Sequence, residues 1–288
     1  MLSADLASSS YLRPLRLGDA LSALAERPLR IVAGATDLFP SHVARPLPGA
    51  ILDITAIDGL KGIAHDGNSW RIGAATSWSE IRDARLPSAF AGLQEAARQV
   101  GSIQVQNRGT IAGNLCNASP AADGVPPLLA LDASVEISRR EGSRLVPLSE
   151  FIAGYRRTIL GPAEMVTAII VPEPDPSARS VFLKLGARSF LVISIVMVAA
   201  TIVRDAAGAI RSAAVAVGSA SEKAMRLTEL ERSLAGLAAD IRPSSVLRIE
   251  HLSPLSPIDD IRASGDYRRD AAFRLVADAL DMAAEFVP

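Results

Sequence analysis

A chain of 288 residues, 49% of them hydrophobic, has interior enough for one large core or two ordinary ones. Its 30 Lys and Arg balance 31 Asp and Glu, so no basic field exists to hold a nucleic-acid backbone or an anionic membrane surface. The one cysteine, Cys116, excludes an internal disulfide and a chain-borne four-thiolate iron–sulfur cluster, and His42, His65 and His251 are too scattered to suggest a metal site.

Taken in chain order, Met1 to Asp5 lack the basic start and apolar stretch of a secretory signal, which predicts a cytoplasmic protein. Leu17, Leu21 and Leu24 fall on one helical face, and Arg30 to Ala33 read as a short buried strand ending at Gly34. Further strands are expected at Ile51–Ile54 and Trp70–Gly73. Ser77-x-x-Glu80 has capping-box spacing and should open a short helix. Phe90, Leu93, Ala97 and Val100 mark another helix, with Ser88 as its cap.

After Asp132 the pattern turns to strands: Ser134–Ser138, Val166–Val171, Val181–Leu185, Leu191–Val203 and Ala213–Val217. The longest apolar run, Phe190 to Val203, falls short of the roughly 20 residues that span a bilayer. The rigid, polar Pro172-Glu173-Pro174-Asp175-Pro176 is the boundary candidate. Helical patterns follow at Ala224–Leu237 and Tyr267–Phe286. The fold class is α+β, in two domains that join near residue 174.

Two segments carry candidate chemistry. In Val32-Ala33-Gly34-Ala35-Thr36-Asp37-Leu38 a strand runs into small residues, whose backbone N–H groups can cradle a phosphate without a cationic side chain. Such a turn is also an ordinary tight connection. In the second segment Thr110, Asn114, Asn117, Ser119 and Asp123 set donors and acceptors among small residues that would admit a flat ligand. Ser119-Pro120 has the character of a helix start, and a helix N-terminus there would attract an anion; a polar loop that merely caps a helix fits as well. Neither segment is a Rossmann or P-loop glycine motif, and no nucleophile–base pair is evident, so no catalytic residue is assigned.

Together the two segments resemble the FAD-binding medium subunit of the xanthine dehydrogenase and carbon monoxide dehydrogenase family of molybdenum hydroxylases. The family's A-G-G-T-D-L stands here as Ala33–Leu38, and its T-I-G-G-N-x-x-x-x-S-P-A-x-D as Thr110–Asp123, with Ala35 and Ala112 replacing glycines. Gln104–Gly109, Lys184–Arg188 and Asp260–Arg269 look like further family signatures.

The resemblance implies a two-part N-terminal FAD-binding domain of the PCMH (vanillyl-alcohol-oxidase-like) type, residues 1–174, with subdomains of about 1–60 and 61–174. A smaller C-terminal domain, residues 177–288, would carry an antiparallel sheet and helices. It further implies that Val32 to Leu38 wrap the FAD pyrophosphate, while Thr110, Gly113, Asn114, Cys116, Asn117 and Ser119 lie along the cofactor. Asp123 would bond the adenosine end, Lys184 would reach the flavin's polar edge, and Val100, Gly101, Met165 and Val166 would pack nearby. The partners implied are a large molybdopterin-binding subunit and a small [2Fe–2S] subunit, in a heterotrimer or its dimer, with NAD, oxygen or a quinone as external acceptor. A self-contained FAD oxidoreductase, with substrate over the flavin, is the alternative. The two Gly→Ala changes raise a specific question, because a methyl group obstructs a backbone with positive φ.

Overall fold

The structure is a computed structural model that describes residues 11–43, 49–189 and 191–285. Met1–Asp5, Phe190 at the head of the apolar run and Phe286 at the end of the last helical stripe lie outside the described residues.

The chain begins with β1 (Tyr11–Leu12), α1 (Leu17–Glu26), β2 (Arg30–Val32) and β3 (Ile51–Asp53). These strands form a parallel sheet in the order β1-β3-β2. Ala20, Leu21 and Leu24 of α1 pack with Leu52, Ile54 and Leu60 into a small core of their own. β2 ends at Val32, one residue sooner than its hydrophobicity suggests.

The next stretch holds β4 (Ile63–His65), β5 (Ser69–Gly73), α2 (Trp78–Asp83), α3 (Ala91–Gln99), α4 (Ile103–Arg108), α5 (Ile111–Asn117) and α6 (Val125–Ala130). It continues with β6 (Ser134–Arg139), β7 (Gly142–Pro147), α7 (Leu148–Phe151), β8 (Ile152–Gly154), β9 (Arg157–Thr158) and β10 (Met165–Pro172). Five strands make an antiparallel sheet, β4-β5-β10-β6-β7, whose Ile72, Val135, Ile137 and Ile169 meet Phe90, Leu93, Ile111, Leu115 and Leu128 from the helices. The Ser77–Glu80 capping box forms at the start of α2. Ser88 is no helix cap: its hydroxyl donates to Ala178 O at 2.8 Å, and α3 begins only at Ala91.

The last part comprises β11 (Arg179–Leu185), β12 (Val196–Arg204), β13 (Ile210–Gly218), β14 (Met225–Arg226), α8 (Thr228–Leu234) and α9 (Gly265–Ala283). Its four-stranded antiparallel sheet buries one face against Leu230 and Leu234 of α8 and Val276 and Leu280 of α9. Two expectations are corrected here. The strand expected from Leu191 starts at Val196, because Leu191 is left-handed (φ 54°) and Ser194 turns to a polar partner. The helix expected from Ala224 starts at Thr228, after Met225–Arg226 have extended the sheet.

The proline-rich connection is pinned on both sides. The Glu173 amide donates to Asn68 O, and its carboxylate meets His65 Nε2 at 2.7 Å. Asp175 accepts from Arg211, and Ser177 Oγ donates to Arg204 O at 3.0 Å. The two halves also share an apolar seam, in which Ala96 and Ala130 meet Phe182, Met197, Ala199 and Ala214.

Candidate functional site

β2 delivers the chain into the turn 33–38. Gly34 is where this turn presses on the second segment: a Cβ there would lie 1.8 Å from Arg108 O and 2.9 Å from Gly109 Cα. Only a hydrogen fits. The backbone amides of Gly34 to Leu38 donate to no acceptor among the described residues, which makes them a cradle of free N–H groups. Ala35 sits at φ 57°, so one of the two alanines does occupy a left-handed position. Asn117 Nδ2 donates to Asp37 Oδ2 at 2.7 Å, which ties the second segment to the first.

The second segment is largely helix, where a loop was expected. Thr110 caps α5, its Oγ1 accepting from Gly113 N at 3.1 Å, and Ala112 lies in the helix interior. A left-handed Ala118 (φ 45°) ends α5. Ser119-Pro120 does not start a helix; Ser119 Oγ accepts from Ala121 N at 3.2 Å, which closes a turn, and α6 waits until Val125. The Ile111 and Ala112 amides are spent on Thr76 O and Ala74 O. The run of free amides belongs to the first turn.

Between the halves lies a cavity of about 1070 Å³. Its N-terminal wall includes Asp37, Gly101, Asn114, Asn117, Ser119 and Asp123, and its C-terminal wall includes Ser194, Ser219, Glu222, Asp260, Arg262 and Arg268. Arg156, Arg262 and Arg268 share the lining with Asp37, Asp123, Glu222 and Asp260, so the cavity has no cationic excess. Tyr155 and Arg156 come from the β8–β9 hairpin: the Tyr155 amide donates to Glu222 Oε1 at 2.8 Å, and Arg156 donates to Asn117 Oδ1. Arg156, Leu191 and Ser219 are left-handed and line the same space, a clustering of strained backbone common at binding sites.

Asp123 and Lys184 meet directly. Lys184 Nζ donates to Asp123 Oδ2 at 2.6 Å and to Gln99 O at 3.3 Å, and Ser194 Oγ donates to Asp123 Oδ1 at 2.6 Å. The ion-paired side chains are 6% and 8% exposed. Burial pushes the Asp123 carboxyl above its ordinary range, opposed by the Lys184 charge and the two hydrogen bonds. The sequence reading set these two side chains at the adenosine end and at the flavin edge; the structure brings them together in one ion pair. Lys184 is committed to Asp123.

Other expected site residues are dispersed. Val100 ends α3 half-buried, while Gly101 (φ 51°) lines the cavity. Met165 and Val166 are buried in the two N-terminal cores, where protein side chains surround them. Cys116 is exposed on α5. Residues missed from sequence are Tyr155, Arg156 and Ser194. Within the signature Asp260–Arg269, Arg268 donates to Ile195 O, Ser219 O and Asp260 Oδ1, holding the C-terminal wall.

The site suits a dinucleotide on three counts: the free amides, the hydrogen-only contact at Gly34, and the buried Asn114 Oδ1 with no partner among the described residues. Among those residues no group of three His, Cys, Asp or Glu could hold a metal, and no helix is long and apolar enough to cross a membrane.

Comparison with known proteins agrees. Residues 6–174 match the family described as the FAD binding domain in molybdopterin dehydrogenase, and 181–283 match the CO dehydrogenase flavoprotein C-terminal domain. The chain is 30% identical over 268 residues to a glyceraldehyde dehydrogenase medium chain of Sulfolobus acidocaldarius, covering 91% of this chain and 93% of that one. It is 37% identical over 174 residues to a nicotinate dehydrogenase FAD-subunit of Eubacterium barkeri, a match spanning 59% of either chain. The fold superimposes on a carbon monoxide dehydrogenase chain from Hydrogenophaga pseudoflava with a TM-score of 0.85 and 26% identity, over 95% of this chain and 96% of that one.

Proposed function

Given that this chain belongs to the FAD-binding medium subunits of the molybdenum hydroxylase family, and is thus an oxidoreductase flavoprotein subunit, we propose that it relays electrons and does not itself oxidise substrate. The observation that carries this reading is the closure of the two short segments on each other at Gly34 and Arg108, beside a cavity walled by both halves. The amides of Gly34 to Leu38 would hold the pyrophosphate. Asn114, Asn117 and Ser119 would orient the rest of the dinucleotide along the cavity. When bound, FAD supplies acceptance of electrons singly and their release in pairs.

We place residues 1–174 in an FAD-binding domain of the PCMH type and 177–288 in the C-terminal domain; the matched spans, 6–174 and 181–283, support that division. The electrons would come from the [2Fe–2S] clusters of a small partner subunit, fed by a large molybdopterin-binding subunit, and would leave to NAD, oxygen or a quinone. We assign the assembly to the cytoplasm. Names such as medium chain and FAD-subunit among the relatives support the division of labour.

The test compares the purified chain with the co-purified complex. The chain should carry flavin absorbance and leave its flavin oxidised when offered purines, aldehydes, N-heterocycles or carbon monoxide. The complex should reduce the same flavin with one of them. Turnover by the isolated chain would move the reading to a self-contained oxidoreductase, and a chain that stays colourless after reconstitution would end it.

A further inference from the structure

Asp123 belongs to the N-terminal half, yet both side chains that hold its carboxylate come from the C-terminal half. Lys184 is near the end of β11, and Ser194 lies two residues before β12. The Ile195 amide donates to Leu185 O at 2.8 Å, which closes the connection between these strands. Arg268 fixes the same point by donating to Ile195 O at 2.5 Å. Ser194 is therefore a hydroxyl on an immobilised backbone, 1% exposed, and it lines the cavity together with Asp123.

Each carboxylate oxygen offers two acceptor directions. On Asp123, Oδ1 spends one on Ser194 and Oδ2 one on Lys184, which leaves one on each oxygen. We propose that Ser194 is a positioning residue for the dinucleotide: by holding Oδ1 it aims the remaining acceptor capacity of Asp123 at an N–H or O–H of bound FAD. This rests on the FAD reading above. Lys184 alone is insufficient, because an ammonium is a compact point charge on a flexible stem and does not fix the plane of the carboxylate. A second donor from another direction does. The Ser194 bond also favours the ionised, acceptor-only form of Asp123, against the burial that favours protonation.

The experiment titrates FAD into the full apo chain and its variants between pH 6 and 8, with melting temperatures recorded for each. Ser194→Ala should bind FAD about tenfold more weakly, the scale of one hydrogen bond to a charged group. Its affinity should also fall more steeply than the wild type's as the pH is lowered, because loss of the Ser194 bond favours the protonated carboxyl. Ser194→Thr keeps the hydroxyl and should restore both affinity and pH profile. In an Asp123→Ala background, which removes the acceptor, Ser194→Ala should cost nothing more. Ser194→Cys, which keeps the volume but only a weak donor, serves if the alanine variant fails to fold. Wild-type affinity with a level pH profile in Ser194→Ala, or an equal loss in the Asp123→Ala background, would overturn the proposal. Failure of the wild-type chain to bind FAD would instead overturn the reading it rests on.

Discussion

Replacing the Gly34 hydrogen with a methyl group would set a carbon 1.8 Å from the Arg108 carbonyl oxygen, and backbone cannot yield as a long side chain would. Gly34→Ala should therefore part the two segments, with an overpacking cost of roughly 1–3 kcal/mol. Flavin per chain after gel filtration should drop sharply; full occupancy would show that the contact is dispensable. Lys184→Met leaves Asp123 buried without its cation, which should cost about 3–5 kcal/mol in denaturant unfolding. Adding Asp123→Asn should recover part of that, and strictly additive losses would mean that the pair is not coupled. At this scale the sequence was informative where chemistry is local: Gly34, Asn114, Asn117 and Asp123 stand in short runs of small and polar residues. Ser194, Tyr155 and Arg156 were illegible. Their roles arise from contacts across 39 to 71 residues of chain, for which no local pattern exists.

Among elements, those with strong periodicity or a cap emerged from the sequence, as at α1, α2, β10 and α9. The short helix α5 did not, because Asn, Gly, Cys and Asn are poor helix formers. The Thr110 cap and burial of Ile111 and Leu115 overrule that propensity. Ser119-Pro120 misled for a related reason: a serine hydroxyl can close a turn on the residue two places on as readily as it caps a helix. Asp175 gives this scale its test. Hydrogen bonds from Ser177 and Arg211 lower its carboxyl well below the usual carboxylate range, to about 2. Its folded-state pKa is depressed, so the contribution is present above about pH 4 and is lost as pH falls toward 2. Asp175→Asn should melt below the wild type at pH 6, and the gap should narrow at pH 3. A gap independent of pH would mean that the Asp175 charge contributes nothing.

For the whole molecule, the FAD cofactor expected from the two segments agrees with the matched family, and the α+β order of elements is visible along the chain. The cavity was not, since it exists only where the halves meet. Phe182→Ala in the seam should cost about 3–5 kcal/mol and loosen FAD binding as well, since both walls depend on that seam. Wild-type FAD affinity in that variant would separate the seam from the site. FAD at a hundredfold its Kd should stabilise the fold by about 2.7 kcal/mol. That gain should raise one shared unfolding transition, and a rise confined to one of two transitions would argue against a site built by both halves. The proline-rich connection, fastened to Asn68 and His65 at one end and to Arg211 and Arg204 at the other, has a consequence for the cavity. A strap anchored at both ends is a brace and not a hinge. A tether fastened in this way favours one standing arrangement of the halves, and with it a constant shape for the cavity mouth.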